Sequence, residues 1–230
     1  MADIEGVCKM KDIKMPENVK MILDKLSSKG YEAVIIGGCV RDSIMGIEPH
    51  DWDIATSAQP EEIMECFKHY NLMKAGLKHG TVTVIIDHEP YEITTYRIDG
   101  EYSDHRRPDS VDFTCDLAED IMRRDFTINA IAYDGKNIID LHDGIGDLQK
   151  GIIRCVGNAN ARFREDPLRI LRAIRFAARF GFEIEESTKK AMFDNCDMLR
   201  FIATERRQGE FTKTLCSEHV SIIKDYAKIL

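Results

Sequence analysis

The chain has 230 residues, enough for one large domain or two small ones with a real core. Hydrophobic residues at 43% and charged residues at 31% describe a soluble globular protein and exclude a collagen, a disordered tail or a membrane bundle. The formal net charge of −8 excludes a uniformly basic nucleic-acid coat. Charge can still be segregated: between Ala161 and Phe180, Arg162, Arg164, Arg169, Arg172, Arg175 and Arg179 meet only Glu165 and Asp166. No apolar run approaches the ~20 residues of a membrane-spanning helix, and the first residues carry neither the basic nor the apolar block of a secretory leader. The seven cysteines are scattered and none forms a C-x-x-C pair, so they read as reduced thiols of a cytoplasmic chain.

In chain order, Pro16 to Ser28 predicts a helix stopped by Gly30, and Tyr31 to Ile36 a buried strand ending at Gly37-Gly38. A short helix from Val40 to Met45, a strand from His50 to Thr56 and a helix from Pro60 to Phe67 follow. Thr81 to Asp87 and Tyr91 to Arg97 predict a hairpin turning at His88-Glu89-Pro90. Ile98 to Asp112 is polar and aperiodic, a long loop of the kind that often carries function. From Leu117 the pattern is mainly helical, with β-like interruptions at Lys136 to Leu141 and Ile152 to Val156. Beyond these it predicts helices over Arg162 to Arg179, Glu186 to Asn195 and Thr204 to Cys216, with Gly181 stopping the first. The composition shift near Gly157 divides the chain into residues 1–156, mixed α and β, and 157–230, all helix.

Two groups of residues carry chemistry. Gly37-Gly38 between strand and helix lets the backbone approach a ligand closely, the amides at that helix start favour an anion, and Arg41 adds a positive charge. Asp51 and Asp53, two apart on a strand, project two carboxylates to one side, where they repel unless cations sit between them. Such hard oxygen ligands suit Mg²⁺. Separately, a Gly-Gly turn is also an ordinary strand-to-helix turn, and D-x-D an ordinary acidic strand end.

Together, Gly37-Gly38-Cys39-Val40-Arg41-Asp42 and Asp51-Trp52-Asp53-Ile54-Ala55-Thr56 resemble the first signature of the polymerase-beta nucleotidyltransferase superfamily, and more narrowly the class II tRNA nucleotidyltransferases and bacterial poly(A) polymerases. Four further stretches match that family's motifs in order: Arg123 to Ala130, Asp140 to Gly144, Glu165 to Arg169 continued by Arg172 and Arg175, and Glu205-Arg206 with Glu210 and Lys213. The resemblance implies an α+β fold: a polymerase-beta-like head with a mixed sheet, followed by an all-helical neck. Family members continue into helical body and tail domains; with its last residue at Leu230, this sequence reads as head and neck, a natural short form or a truncation.

The resemblance also implies an activity, the transfer of CMP and AMP from CTP and ATP to the 3′ end of tRNA, with release of pyrophosphate. Asp51 and Asp53 would be catalytic, holding two Mg²⁺ ions that activate the 3′ hydroxyl and neutralise the leaving group. Gly38 and Arg41 would hold the triphosphate, and Arg124 would contact the nucleotide with Asp125 or Asn129 near the ribose. Asp125 reads equally as a cap for a helix at Thr127. Glu92, on a neighbouring predicted strand, is a candidate third carboxylate. Alternatives are a poly(A) polymerase, an enzyme adding A only, or a nucleotide-binding module without turnover.

Asp166, Arg169, Arg172 and Arg175 are the expected base-reading group. Three apart on one predicted helix, Asp166 and Arg169 would have neighbouring side chains, while the arginine stripe winds around the axis. A carboxylate only accepts and a guanidinium only donates. The pair therefore complements cytosine and adenine, which offer an amine beside a bare ring nitrogen, and opposes uracil and guanine. The residues Arg97 to Pro108 resemble a loop that favours addition of the terminal A.

Overall fold

The computed structural model describes residues 13–100 and 110–230. The described residues divide into two compact units. One holds the chain up to Asp99, Val111–Arg124 and Asn129–Gly144; the other is built mainly of Asp125–Ile128 and Ile145–Leu230.

The first unit opens with α1 (Glu17–Ser27), whose buried Val19, Ile22, Leu23 and Leu26 recur at helical spacing. Then come β1 (Ala33–Ile36), α2 (Gly38–Ile44), β2 (Ile54–Thr56), α3 (Pro60–Cys66), β3 (Asn71–Met73), β4 (Thr81–Ile86), β5 (Glu89–Thr95), β6 (Arg97–Asp99), β7 (Val111–Phe113), α4 (Leu117–Met122), β8 (Ile131–Tyr133) and β9 (Ile138–Asp140). Seven strands form one sheet in the order β3-β4-β5-β2-β1-β8-β9. β2 and β5 run parallel and the other neighbours antiparallel, so the sheet is mixed. β1 lies inside it with all four residues buried, which is why its sequence is a continuous apolar run. β4 alternates buried and half-buried positions instead.

The second unit contains α5 (Gly144–Lys150), β10 (Ile152–Ile153), α6 (Ala159–Glu165), α7 (Leu168–Phe180), β11 (Glu183–Ile184), α8 (Glu186–Asn195) and α9 (Thr204–Leu215). α7 is its centre, burying Ile170, Leu171, Ala173, Ile174, Phe176, Ala177 and Ala178. It ends at Gly181 in the left-handed region (φ 70°), where a Cβ would also stand 2.9 Å from His219 Nε2, so the position demands glycine twice over. Among the described residues no helix is long and apolar enough to cross a membrane.

The structure corrects several expectations. The helix expected over Arg162 to Arg179 is two helices, broken at Asp166-Pro167. Proline's ring disfavours helical geometry in the residue before it, and Asp166 is extended (φ −136°, ψ 97°). The second strand starts only at Ile54, so Asp51 and Asp53 lie on the segment leading into β2; the Asp53 carbonyl still accepts the Ile36 N–H at 3.1 Å, prolonging the β1 pairing. The hairpin turns at Asp87-His88, both at positive φ (52° and 69°), the two-residue geometry whose twist matches the strands, and Glu89 and Pro90 belong to β5. β8, β10 and β11 carry two or three residues each, and β8 and β11 lie where only helix was expected. β6 and β7 pair at the two ends of the expected long loop; its stretch from Glu101 to Asp109 lies outside the described residues. Ile145 onward falls in the second compact unit, where β10 pairs with β11 and Phe126 bridges to Cys155.

Glu185 caps α8, accepting the Thr188 N–H at 2.8 Å and the Ser187 hydroxyl at 2.7 Å. Loss of solvent works to raise its carboxyl, but these hydrogen bonds outweigh it and hold the group down to about 2, below the usual 4.5. A depressed folded value means that the cap stabilises above the usual value and is lost as pH falls toward about 2. Glu185→Ala is expected to cost about 1 kcal/mol at neutral pH. Denaturant unfolding should show that gap closing near pH 2.

Candidate active site

The first unit gathers its chemistry around the turn from β1 to α2. Gly37 adopts φ 89°, closed to ordinary side chains. A Cβ there would stand 3.3 Å from Arg124 Nη1 and 4.0 Å from Asp53 Oδ2, so glycine lets a guanidinium and a carboxylate meet at the backbone. α2 then carries Arg41 inward. Arg41 is 3% exposed, paired with Asp42 at 2.7 Å and donating to Asn129 Oδ1. The expected triphosphate ligand thus stands as a buried brace between α2 and Asn129. Asn129, expected near a ribose, is the acceptor of that brace.

A cleft of about 420 Å³ is lined by Asp51, Trp52, Asp53, Glu89, Tyr91 and Glu92, with His50 and Pro90 completing it. Parallel pairing of Ile54 with Ile93 brings Asp53, just before β2, toward Glu92, the residue before Ile93 on β5. Solvent withdrawn by the cleft walls pushes the Asp53 carboxyl above the usual range; Arg124 opposes the shift and Asp51 adds to it. Burial is thus the main cause, and the repulsion from Asp51 is smaller than the attraction to Arg124. Among the described residues no three His, Cys, Asp or Glu side chains converge into one metal-ligand set. Asp51 and Asp53 therefore offer two hard oxygen donors and leave the rest of a coordination shell to water and ligand oxygens, which fits Mg²⁺. Glu92 lines the cleft without completing a triad.

Arg124 stands at the edge of this region. Its Nη2 donates to Asp120 Oδ2 at 3.1 Å, and its Nε is buried with no hydrogen-bond partner. A buried guanidinium donor left unmatched is a place for an anionic oxygen. Asp120 was not singled out by the sequence, although Asp120, Arg123 and Arg124 have the i, i+3, i+4 spacing of an ion-paired helix end.

In the second unit the base-reading candidates are all engaged by protein. Asp166 accepts the Leu168 N–H and the Arg206 guanidinium, each at 3.1 Å. Arg169, 9% exposed, donates to Glu165 at 2.8 Å and to the Arg162 carbonyl at 3.2 Å. Arg172 Nε donates to Asp125 Oδ2 at 2.8 Å, and Arg175 pairs with Glu210 while lying over the Phe176 ring at 4.1 Å. Asp125 also accepts the Phe126 N–H at 2.8 Å, just before the short 3-10 turn Thr127–Asn129. Glu165 and Arg206 were legible only as parts of motifs, not as partners. Arg172→Ala would strand the 8%-exposed Asp125. With 33% of the Arg172 side chain exposed, the expected cost is roughly 2 kcal/mol, below the 3–5 of a fully buried pair, read by denaturant unfolding.

A mixed sheet with a Gly-Gly turn and paired carboxylates beside it is the head of a polymerase-beta-like nucleotidyltransferase. Residues 33–154 match the model of the poly A polymerase head domain, and residues 181–225 that of the probable RNA and SrmB-binding site of polymerase A. The chain belongs to the poly A polymerase head-domain family. It is 52% identical over 201 residues to a CCA-adding enzyme of Oceanobacillus iheyensis, covering 87% of this chain and 50% of the other. A CCA-adding enzyme of Lactiplantibacillus plantarum is 48% identical, covering 87% and 49%. Among solved structures, the Bacillus stearothermophilus CCA-adding enzyme in complex with CTP superposes with a TM-score of 0.83 at 39% identity, covering 91% of this chain and 52% of that one. The Thermotoga maritima CCA-adding enzyme complexed with tRNA gives 0.77 at 27%, covering 95% and 52%. The chain spans about half the length of the curated relatives it matches.

Proposed function

We propose that these residues form the head and neck of a CCA-adding tRNA nucleotidyltransferase, transferring CMP and AMP from CTP and ATP to a tRNA 3′ end. The observation that carries the reading is the placement of Asp51 and Asp53 in one cleft beside the Gly37 turn and the Arg124 guanidinium. Asp51 and Asp53 are the residues that would hold Mg²⁺, which supplies charge neutralisation at the reacting phosphate and acidifies the attacking hydroxyl. Gly37 and Gly38 let the triphosphate lie against backbone. Arg124, whose Nη1 stands beside the Gly37 turn, supplies positive charge to it, and Arg41, braced by Asp42 and Asn129, adds a second guanidinium at the start of the helix. Positioning and charge carry such a transfer, so no further acid or base is required of the chain. In the neck, Asp166 and Arg169 supply one acceptor and one donor to a base edge. The two bonds Asp166 already accepts leave further acceptor capacity on its carboxylate.

The resemblance to named CCA-adding enzymes supports this reading, and the family description favours poly(A) synthesis as the second. Incubation with tRNA lacking its last three nucleotides, with CTP, ATP and Mg²⁺, separates them. A product longer by three nucleotides is expected. A ladder of adenylates would establish the second reading, and no incorporation with retained CTP binding would leave a nucleotide-binding module. A tRNA substrate would be met in the cytoplasm, and this reading assigns the chain there.

A further inference from the structure

Resting on the reading of the cleft as a nucleotide site, we infer that Asp120 is a positioning residue that holds Arg124 against the Gly37 turn and keeps it from closing onto Asp53. Asp120 lies on α4 with no exposed surface. Its two oxygens do different work. Oδ1 accepts Arg123 through Nε at 3.0 Å and Nη2 at 2.7 Å, together with the Arg97 main-chain N–H at 3.3 Å. Oδ2 accepts Arg124 Nη2 at 3.1 Å. The carboxylate thus ties the start of β6 and the end of α4 with one oxygen and aims a single guanidinium with the other.

The aim matters because of what stands beside Arg124. Its Nη1 and the Asp53 Oδ2 both lie near Gly37, at 3.3 and 4.0 Å from where a Cβ would stand. A cation and a carboxylate that close attract strongly in a partly dry cleft. A guanidinium with no other anchor would turn its planar fork onto Asp53 and occupy the oxygens meant for a divalent cation. Asp120 competes for that fork through Nη2, which it holds at 3.1 Å. Burial works to raise the Asp120 carboxyl, but the charges of Arg124 and Arg123 outweigh it and keep the group below the usual range, so it stays an anion at neutral pH. The arrangement resolves a conflict built into the site: a cation is needed for the triphosphate next to an anion needed for the metal, and a third charge holds them apart.

Asp120→Asn tests this, because the amide keeps the shape and one acceptor but replaces the other oxygen with a donor, which cannot accept from Arg124. Equilibrium binding of CTP without added metal is the readout, with thermal midpoint as the fold control. The wild-type chain is measured first: if it fails to bind CTP, the nucleotide-site reading fails and not this one. Asp120→Asn is expected to bind CTP about tenfold more weakly, and Asp120→Glu, which keeps the charge, to recover most of that loss. In an Arg124→Ala background, Asp120→Asn should have no further effect on CTP affinity, since the guanidinium it aims is gone. CTP binding unchanged in a folded Asp120→Asn, or losses that add in the double variant, would overturn the inference. Should the Asn variant not fold, Asp120→Ser repeats the cycle, with a loss of CTP affinity seen only where Arg124 is present as the expected result, and equal affinities in both pairs or additive losses as the contrary one.

Discussion

Asp53→Asn is expected to lower nucleotide incorporation by at least about 10³-fold while leaving metal-free CTP binding and the thermal midpoint in place. The size follows from what the carboxylate does: a metal ion stabilises the transition state by several kcal/mol, and each 1.4 kcal/mol is tenfold in rate. The selectivity of the loss follows from where the carboxylate sits. Asp53 is pushed above the usual carboxylate range by lost solvent, which Arg124 offsets only in part and Asp51 reinforces, so its charge costs the folded chain something that a bound cation would return. A raised folded value means that, without metal, Asp53 destabilises the fold as pH rises through that range. The amide removes that cost, so the midpoint should hold or rise, as residues set for chemistry rather than stability do. Single-turnover incorporation on trimmed tRNA, isothermal binding of CTP and a thermal melt measure the three quantities. A variant that loses CTP binding along with incorporation, or melts earlier, would assign Asp53 to structure.

How far the sequence could be read depended on how local each feature was. Gly37-Gly38 and Asp51-x-Asp53 each lie within a few residues, and the structure sets them around one turn and one cleft. Arg41 was legible as a charge, but its burial against Asn129, 88 positions away, was not, because no window of sequence contains both. Pro167 is a miss that the sequence could have prevented: a residue before proline avoids the helix, and Asp166 is extended for that reason. β8 was unreadable because three apolar residues carry no period, and its strand character comes from pairing with β1 and β9. The transfer of Asp125–Ile128 to the second unit is likewise set by pairings with Arg154, Cys155 and Val156 that no window of sequence contains. Asp120 had a local signal, the i+3 and i+4 arginines, and was missed because its partners drew attention as ligands rather than as charges needing a counterion.

Arg169→Ala and Asp166→Asn are each expected to narrow the preference for CTP over UTP by roughly tenfold to hundredfold, the cost of one mismatched buried hydrogen bond. The two act differently. Asn offers both a donor and an acceptor and can turn its amide to match the carbonyl of uracil, so Asp166→Asn should raise UTP use. Alanine removes a guanidinium opposing that edge's N–H, so Arg169→Ala should relax choice while triphosphate affinity, carried by the head, stays. The observed pairing sharpens the test. Arg169 also donates to the Arg162 carbonyl in the last turn of α6 and to Glu165, a helix-end role that alone predicts lost stability and no change in base choice. Glu165→Gln separates these, because it weakens the anchor of Arg169 without removing its donors. If Arg169 reads the base, Glu165→Gln keeps the CTP preference and Arg169→Ala loses it. If Arg169 only closes α6, both variants melt earlier and neither shifts the ratio of kcat/KM for CTP to that for UTP, the measurement that decides between them.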